Sequence, residues 1–596
     1  MLKTIPEYAI LADTLKAGRS AAVTGVGQIN RSHMIAGLSK DLQKPFAIVC
    51  QDDMTARRIQ EELKCFLGLT APILPGRDLT FYDAAVASKT WEQKRLRQLR
   101  DWSSGAVPIQ ILTWESLSLR TMPWDVLQKA SFTLEVGQEY SLDDLASRLT
   151  AAGYSRCGMV EGPGQFAFRG GIADIFSPGE DRPVRLEFFG DELDTMGYFD
   201  PDTQRRSDNV DKIQILPVSE ALPGMHPKGI AGMEKDLQTL ISRQRRRKHP
   251  NELLIETLTK DLEKLRSGLH NSAWDRYLAL MYPEMACAAD FAPKDCVWVL
   301  CDHANLSRAA RTRTDEMGLQ LDSLLNGGQV AGELCDFVIQ WEDFTKRLRG
   351  KSTAYFDTFG GSAYPEENPP SQLLPVTAKQ LPSYGGNLDA AVSDMSHYQK
   401  MQFGTLVLCG TRHRAELMQQ MLREKGLSAF LAIPLNTLPK PEQILLTDGT
   451  LPYGMEYPLS KLAVLTEGQL IAKTAPRRKA PATKKSATNR QKLNAFTDLT
   501  PGDLVVHENY GIGRFVAMEQ IKVGSAVKDY IKIAYQGSDT LFVPATQLDL
   551  VSKYIGGGED ANIRLNKIGS DAWQKTKAKA RKAAKDMAGG VIPPLS

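Results

Sequence analysis

Cysteine pairs are missing from the chain. Its eight cysteines stand at 50, 65, 157, 287, 296, 301, 335 and 409, and none forms a CxxC unit. The nearest two, Cys296 and Cys301, have no matching Cys or His pair to complete a zinc site, so buried or free thiols in a reducing compartment are expected. Long apolar runs are missing too. No stretch approaches the ~18 residues that span a bilayer. The opening MLKTIPEYAILADTLKAG sets acids inside its short apolar patch, unlike a secretory signal. A cytoplasmic protein with no membrane partner is expected. There is no GxSxG, HExxH or SxxK arrangement, and the eight histidines are spread thinly, so no nucleophile or metal constellation stands out.

What remains is ordinary for a globular chain of 596 residues, with 42% hydrophobic and 24% charged residues. That length suggests about four domains. Net charge is +3, but residues 473–492 hold eight Lys or Arg and no acid, which leaves −5 for everything else. Any nucleic-acid footprint is therefore local.

The pattern along the chain is α/β and multidomain. Residues 1–125 alternate strand-like AAVTGVG, PFAIVCQDD and VPIQILTW with the amphipathic TARRIQEELKCFL, a βαβ order that argues a parallel sheet. Residues 126–212 read as a small α+β domain inserted in the α/β domain. There Ser141 caps a helix with Leu142, Leu145 and Leu149 on one face, ended by Gly153. Residues 213–350 return to the α/β domain. Residues 351–470 read as a further compact α/β unit. Residues 471–495 read as a basic disordered linker, 496–556 as a small all-β unit, and 557–596 as a basic helix followed by GGVIPPLS.

The tempting site is VTGVGQINRSH at 23–33, between a strand and a helix. A P-loop needs a Lys to neutralise phosphate and a hydroxyl to hold magnesium. Here Gly25 and Gly27 are followed by Gln28 and Ile29, which do neither job. The strand VWVLC ends at Asp302 and His303, where an ATPase wants Asp-Glu. A degenerate nucleotide fold with no catalytic residue, cofactor or metal is expected.

Strand parity supplies a second candidate. In GQFAFRG and PVRLEFF, Phe166, Phe168, Val184, Leu186 and Phe188 fall on one side, a natural core face. Arg169, Arg185 and Phe189 fall on the other. Arginine beside an exposed aromatic is the composition of a partner-binding surface, and equally a solvated face with one sheet-edge Phe. The run RQRRRKH at 243–249 could touch phosphate, but the favoured reading is the polar face of a helix. The 473–492 run could bind DNA or be a solvated linker.

Two long segments then carry a resemblance. GQFAFRGGIADIFSPGEDRPVRLEFFGDELDTMGYFDPDTQRR resembles the UvrB-homology module of bacterial transcription-repair coupling factors. DLVVHENYGIGRFVAMEQI with YIKIAYQGSDTLFVPATQLDLVSKYIG resembles that family's CarD-like (SH3-like) RNA polymerase-interacting domain. LNKIGSDAWQKTKAKARKAAKD resembles the segment leading into its motor. The resemblance implies a UvrB-like module without ATP binding, docking of UvrA at Arg169, Arg185 and Phe189, and contact of Ile521 with the polymerase β subunit. It implies that ATP, magnesium and most double-stranded DNA contact belong to motor lobes absent here. It also implies that a C-terminal domain covering the UvrA surface is absent, so that UvrA docking is constitutive and the chain is a fragmentary adaptor half. Two rivals stand: a CarD-like transcription regulator that binds polymerase only, and an ATP-dependent helicase if a motor follows.

Overall fold

The computed structural model describes residues 2–82, 89–269, 271–360, 363–470, 490–492, 501–507, 510–523, 526–537, 539–544, 551–554 and 565–567. Among them, one sheet of eleven strands organises the first 470 residues. Its order from one edge is Ala429–Leu431, Ile444–Asp448, Gly404–Cys409, Leu462–Thr466, Met455–Tyr457, Gln372–Gln380, Ala21–Val26, Thr353–Asp357, Val297–Cys301, Phe46–Cys50 and Ile109–Thr113. All neighbours pair in parallel except Met455–Tyr457, which is antiparallel to both its neighbours. Parallel strands buried on both faces need apolar residues at nearly every position. FAIVC and VWVLC meet that demand, and successive residues feed opposite cores. Val297, Val299 and Cys301 pack with Phe46, Ile48 and Val23 on one face. Trp298 and Leu300 pack with Ala47, Val49 and Trp102 on the other.

The division expected at residue 350 is not a break in this sheet. Strand Gln372–Gln380 pairs in parallel with Ala21–Val26, Ala21 facing Gln372 and Val23 facing Leu374. Its period-two pattern drives the union, because Leu374, Val376 and Ala378 point into the core shared with Ala21, Val23 and Val26. The unit over 351–470 is an extension of the first sheet.

Residues 132–215 form a separate small layer. Phe132–Glu135 pairs with Lys212–Ile215. Beside that pair lies a six-stranded sheet in the order Arg206–Asn209, Glu192–Phe199, Val184–Phe189, Ile172–Ile175, Gln165–Arg169 and Ser155–Arg156. Helix Leu142–Ala151 starts where expected: the Ser141 hydroxyl accepts from the Asp144 amide, and Leu145 and Leu149 are buried. They join Phe166, Val184, Leu186 and Met196 in a core of their own.

The third sheet holds Arg490–Lys492, Val551–Tyr554, Leu504–His507, Gly511–Val523, Ala526–Ala534 and Thr540–Pro544 in that order. The linker expected over 471–495 is corrected at its end. Arg490–Lys492 is an edge strand, with Arg490 facing Tyr554. An edge strand of charged residues needs no apolar face, so periodicity could not reveal it. The rest of that linker and the basic helix expected over 557–596, apart from residues 565–567, lie outside the described residues. All eight cysteines are free thiols, five of them buried. Among the described residues, no helix is long and apolar enough to cross a membrane.

Candidate docking face and the glycine turn of the large sheet

The strand-to-helix turn at Gly25–Ile29 has the position of a phosphate cradle but other partners. Helix Gln28–Leu42 starts directly after Gly27. The Gly27 amide donates to the Ala378 carbonyl at 3.2 Å. The Ile29 amide points at Gln380 Oε1 at 3.4 Å, and Gln28 Oε1 accepts from Arg58. Both glycines serve the neighbouring strand. A Cβ on Gly25, whose φ is +78°, would meet the Val376 carbonyl oxygen at 2.7 Å, and one on Gly27 would meet the Gln380 amide nitrogen at 2.7 Å. Strand Gln372–Gln380 thus packs against both glycines, leaving no room for a side chain at either.

The carboxylates beneath are equally engaged. Arg31, 2% exposed, reaches Asp302 at 2.7 Å. Asp302 also accepts from the Thr358 amide and hydroxyl, each at 2.9 Å. Burial alone would raise the Asp302 carboxyl, but the Arg31 charge and the Thr358 bonds hold it below its usual value. His303 lies 2.8 Å from Asp357 through Nδ1 and stacks on Tyr364. Burial would lower this imidazole, yet the bond and charge of Asp357 prevail and raise it. At the carboxyl end of the strands Arg31 thus pairs with Asp302 and His303 with Asp357, while the buried Arg31 Nε keeps no hydrogen-bond partner.

The inserted sheet presents the opposite case. Gly170–Gly171 and Gly190–Asp191 are two-residue hairpin turns, with Gly170 at φ +60° and Gly190 at φ +64°. Arg169 faces Ile172 across the first turn, and Phe189 faces Glu192 across the second. Both turns lie at the same end of the sheet, tied by the Phe188 amide donating to the Gly171 carbonyl at 2.8 Å. Arg169 is exposed and hooks its guanidinium onto the Gly158 carbonyl at 2.9 Å. Phe189 is 84% exposed and Ile172 38%. Leaving a phenylalanine in water forgoes about 1.5–3 kcal/mol of burial.

Arg185 does not join them. It stands four residues along the strand from Phe189, about 13 Å at the strand rise. Its side chain is only 17% exposed. Nε and Nη2 donate to the two oxygens of Asp174 at 2.7 and 2.9 Å, and Nη2 also reaches Gln204 Oε1 at 3.1 Å. The guanidinium lies over the Phe199 ring at 4.5 Å. The bond to Asp174 raises its pKa. The expectation of one exposed face holding all three residues is therefore corrected. Parity put Arg185 on the second face, but there Asp174 and Gln204 hold its guanidinium against the Phe199 ring. Sequence reasoning also missed Ile172, Asp174 and the Glu187–Arg206 pair at 2.7 Å. The Gly-Gly after Arg169 is the signal that could have placed Ile172 beside it.

Ile521 lies inside strand Gly511–Val523, facing Lys528 of the returning strand. The strand runs on because GRFVAM continues without a turn residue into EQIKV. Its side chain is outside the described set. Strand Leu504–His507 pairs only as far as Arg514, so Ile521 belongs to the far part of a long two-stranded arm.

The inserted domain and the separate small β-sheet each match a known domain family. Residues 132–220 match the UvrB interaction domain, and residues 499–555 match the CarD-like/TRCF RID domain. The transcription-repair-coupling factor of Bacillus subtilis is 27% identical over 597 residues, 99% of this chain and 50% of that protein. That of Staphylococcus haemolyticus is 27% identical over 97% of this chain and 49% of its own length. That of Staphylococcus epidermidis is 28% identical over 96% and 48%. The chain is thus similar to transcription-repair-coupling factors and spans about half the length of these curated relatives.

Proposed function

We propose that the chain is the adaptor half of a transcription-coupled nucleotide excision repair factor. It docks UvrA through the inserted domain and the RNA polymerase β subunit through the CarD-like sheet. The observation that carries the reading is the exposed Phe189 at paired hairpin tips, within the segment matching the UvrB interaction domain and in one chain with a CarD-like domain. A large exposed aromatic with an exposed arginine at the neighbouring turn is hot-spot chemistry. Arg169, Ile172 and Phe189 form the contact set, and Arg185 braces the sheet beneath it. Ile521, on the polymerase-side arm, is the expected β-subunit contact, and strand pairing along that arm suits such a partner.

In this reading the large sheet is a degenerate P-loop-type α/β domain with the inserted α+β domain, and the CarD-like sheet is SH3-like. The chain itself turns over no nucleotide. ATP, magnesium and most duplex DNA contact belong to the motor of the longer relatives. The test is a ternary complex. Purified chain, UvrA and polymerase core should co-elute from a sizing column, and Ile521→Ser should remove polymerase while leaving UvrA. A chain that binds polymerase but never UvrA would return the reading to a CarD-like regulator.

A further inference from the structure

The run from Arg243 to His249 carries six basic side chains in seven positions and no acid. A polar helix face, the reading favoured from sequence, does not fit the backbone. Helix Gly229–Arg245 stops at Arg245, and Arg246 is its C-cap. Arg247, Lys248 and His249 lie in the connection to helix Glu252–Ser267. The run is therefore the tip of a helical hairpin. Every residue from 242 to 250 is exposed except Gln244.

One acid meets this tip, and it braces it. Glu333 accepts from the buried Gln244 amide group at 3.0 Å and from Arg247 at 2.8 Å. Among the described residues, no carboxylate lies within 4.0 Å of the charged nitrogens of Arg243, Arg245, Arg246 or Lys248. A helix C-terminus favours cations only within its last turn, which accounts for Arg243 and Arg245 and leaves Lys248 without that reason. Four unpaired cations on a braced tip repel one another, and a polyanion relieves that repulsion. The run has no apolar side chain and no Phe, Tyr or Trp between 242 and 249. A protein-binding anchor is missing, and so is a stacking platform for single strands. What is left is the chemistry of phosphate contact.

We propose that this hairpin tip grips the phosphate backbone of double-stranded DNA without reading sequence, through Arg243, Arg245, Arg246 and Lys248. The site is separate from the UvrA and polymerase faces, and its test uses neither partner.

The test measures anisotropy of a labelled duplex of about 30 bp against the whole chain over a range of salt. Replacing the four cations by alanine should flatten the slope of log K against log salt by about 3.6, at about 0.9 per lost phosphate contact. Neutralising four exposed lysines elsewhere, Lys16, Lys40, Lys379 and Lys400, matches the charge change and should leave the slope unaltered. The triple variant Arg243→Lys, Arg245→Lys, Arg246→Lys should retain binding, which separates loss of charge from loss of fold. Equal slopes for parent and alanine variant would overturn the proposal. So would an equal drop in the lysine control. A loss seen only toward polyglutamate, with the duplex slope intact, would overturn it in favour of an acidic protein.

Discussion

The carboxyl end of the large sheet and the hairpin end of the inserted sheet use the same alphabet of arginine, carboxylate and aromatic side chain. In the first, Arg31 is spent on Asp302 and His303 on Asp357, while strand Gln372–Gln380 packs closely against Gly25 and Gly27. In the second, Arg169 and Phe189 stand outward at two tied turns. The difference lies in the neighbours. An ion pair whose members satisfy each other within the fold has little left for a ligand, whereas an exposed ring on a fixed turn has its burial energy still to gain. The inserted sheet holds both cases within itself, since Arg185 is consumed by Asp174 while Arg169 is held only by one carbonyl.

The largest expected effect breaks the inward half of this comparison. Asp302→Ala strands the buried Arg31 guanidinium and should destabilise the large sheet by about 3–5 kcal/mol. Urea denaturation followed by the fluorescence of Trp102 and Trp298 reads it, and an unchanged midpoint would mean Arg31 finds water instead. Next, Asp174→Asn removes one charged partner of Arg185 and should cost the inserted domain about 2 kcal/mol. UvrA affinity should fall less than stability does, because Arg185 braces rather than touches; a large affinity loss with unchanged stability would make it a contact. Ile172→Ala should weaken UvrA binding by about 1 kcal/mol, about fivefold, with little change in the urea midpoint.

The smallest effect is one of pH. The folded pKa of His303 is raised, so the unfolded chain binds fewer protons at that site near its ordinary value of 6.5. The stability it contributes is complete below about pH 6.5 and fades as pH rises through the folded value. Asp357→Asn should flatten that decline in a series of melts from pH 6 to 9, and an undiminished decline would place its origin elsewhere.

Much of the fold was legible because burial on both faces leaves a mark. FAIVC and VWVLC read as strands from their apolar runs, the first in a βαβ order that argued a parallel sheet, and Ser141 with Leu145 and Leu149 announced its helix. Long-range pairing left none. The contact of Gln372–Gln380 with Ala21–Val26 joins segments some 350 residues apart, and nothing local in either names the other. The site was half legible for the same reason. Parity chose the face of Arg169, Arg185 and Phe189, but parity cannot see a roof. Phe199 and Asp174, which cover and bind Arg185, arrive from other strands.

The outward half rests on Phe189, and one titration tests it. UvrA binding to the whole chain, measured by calorimetry for the parent and for Phe189→Ala, should differ by at least about 2 kcal/mol, a factor of about thirty, with identical urea midpoints because the ring is 84% exposed. Equal affinities for the two would show that the hairpin tips are a solvated edge, and the docking face would have to be sought elsewhere on the molecule.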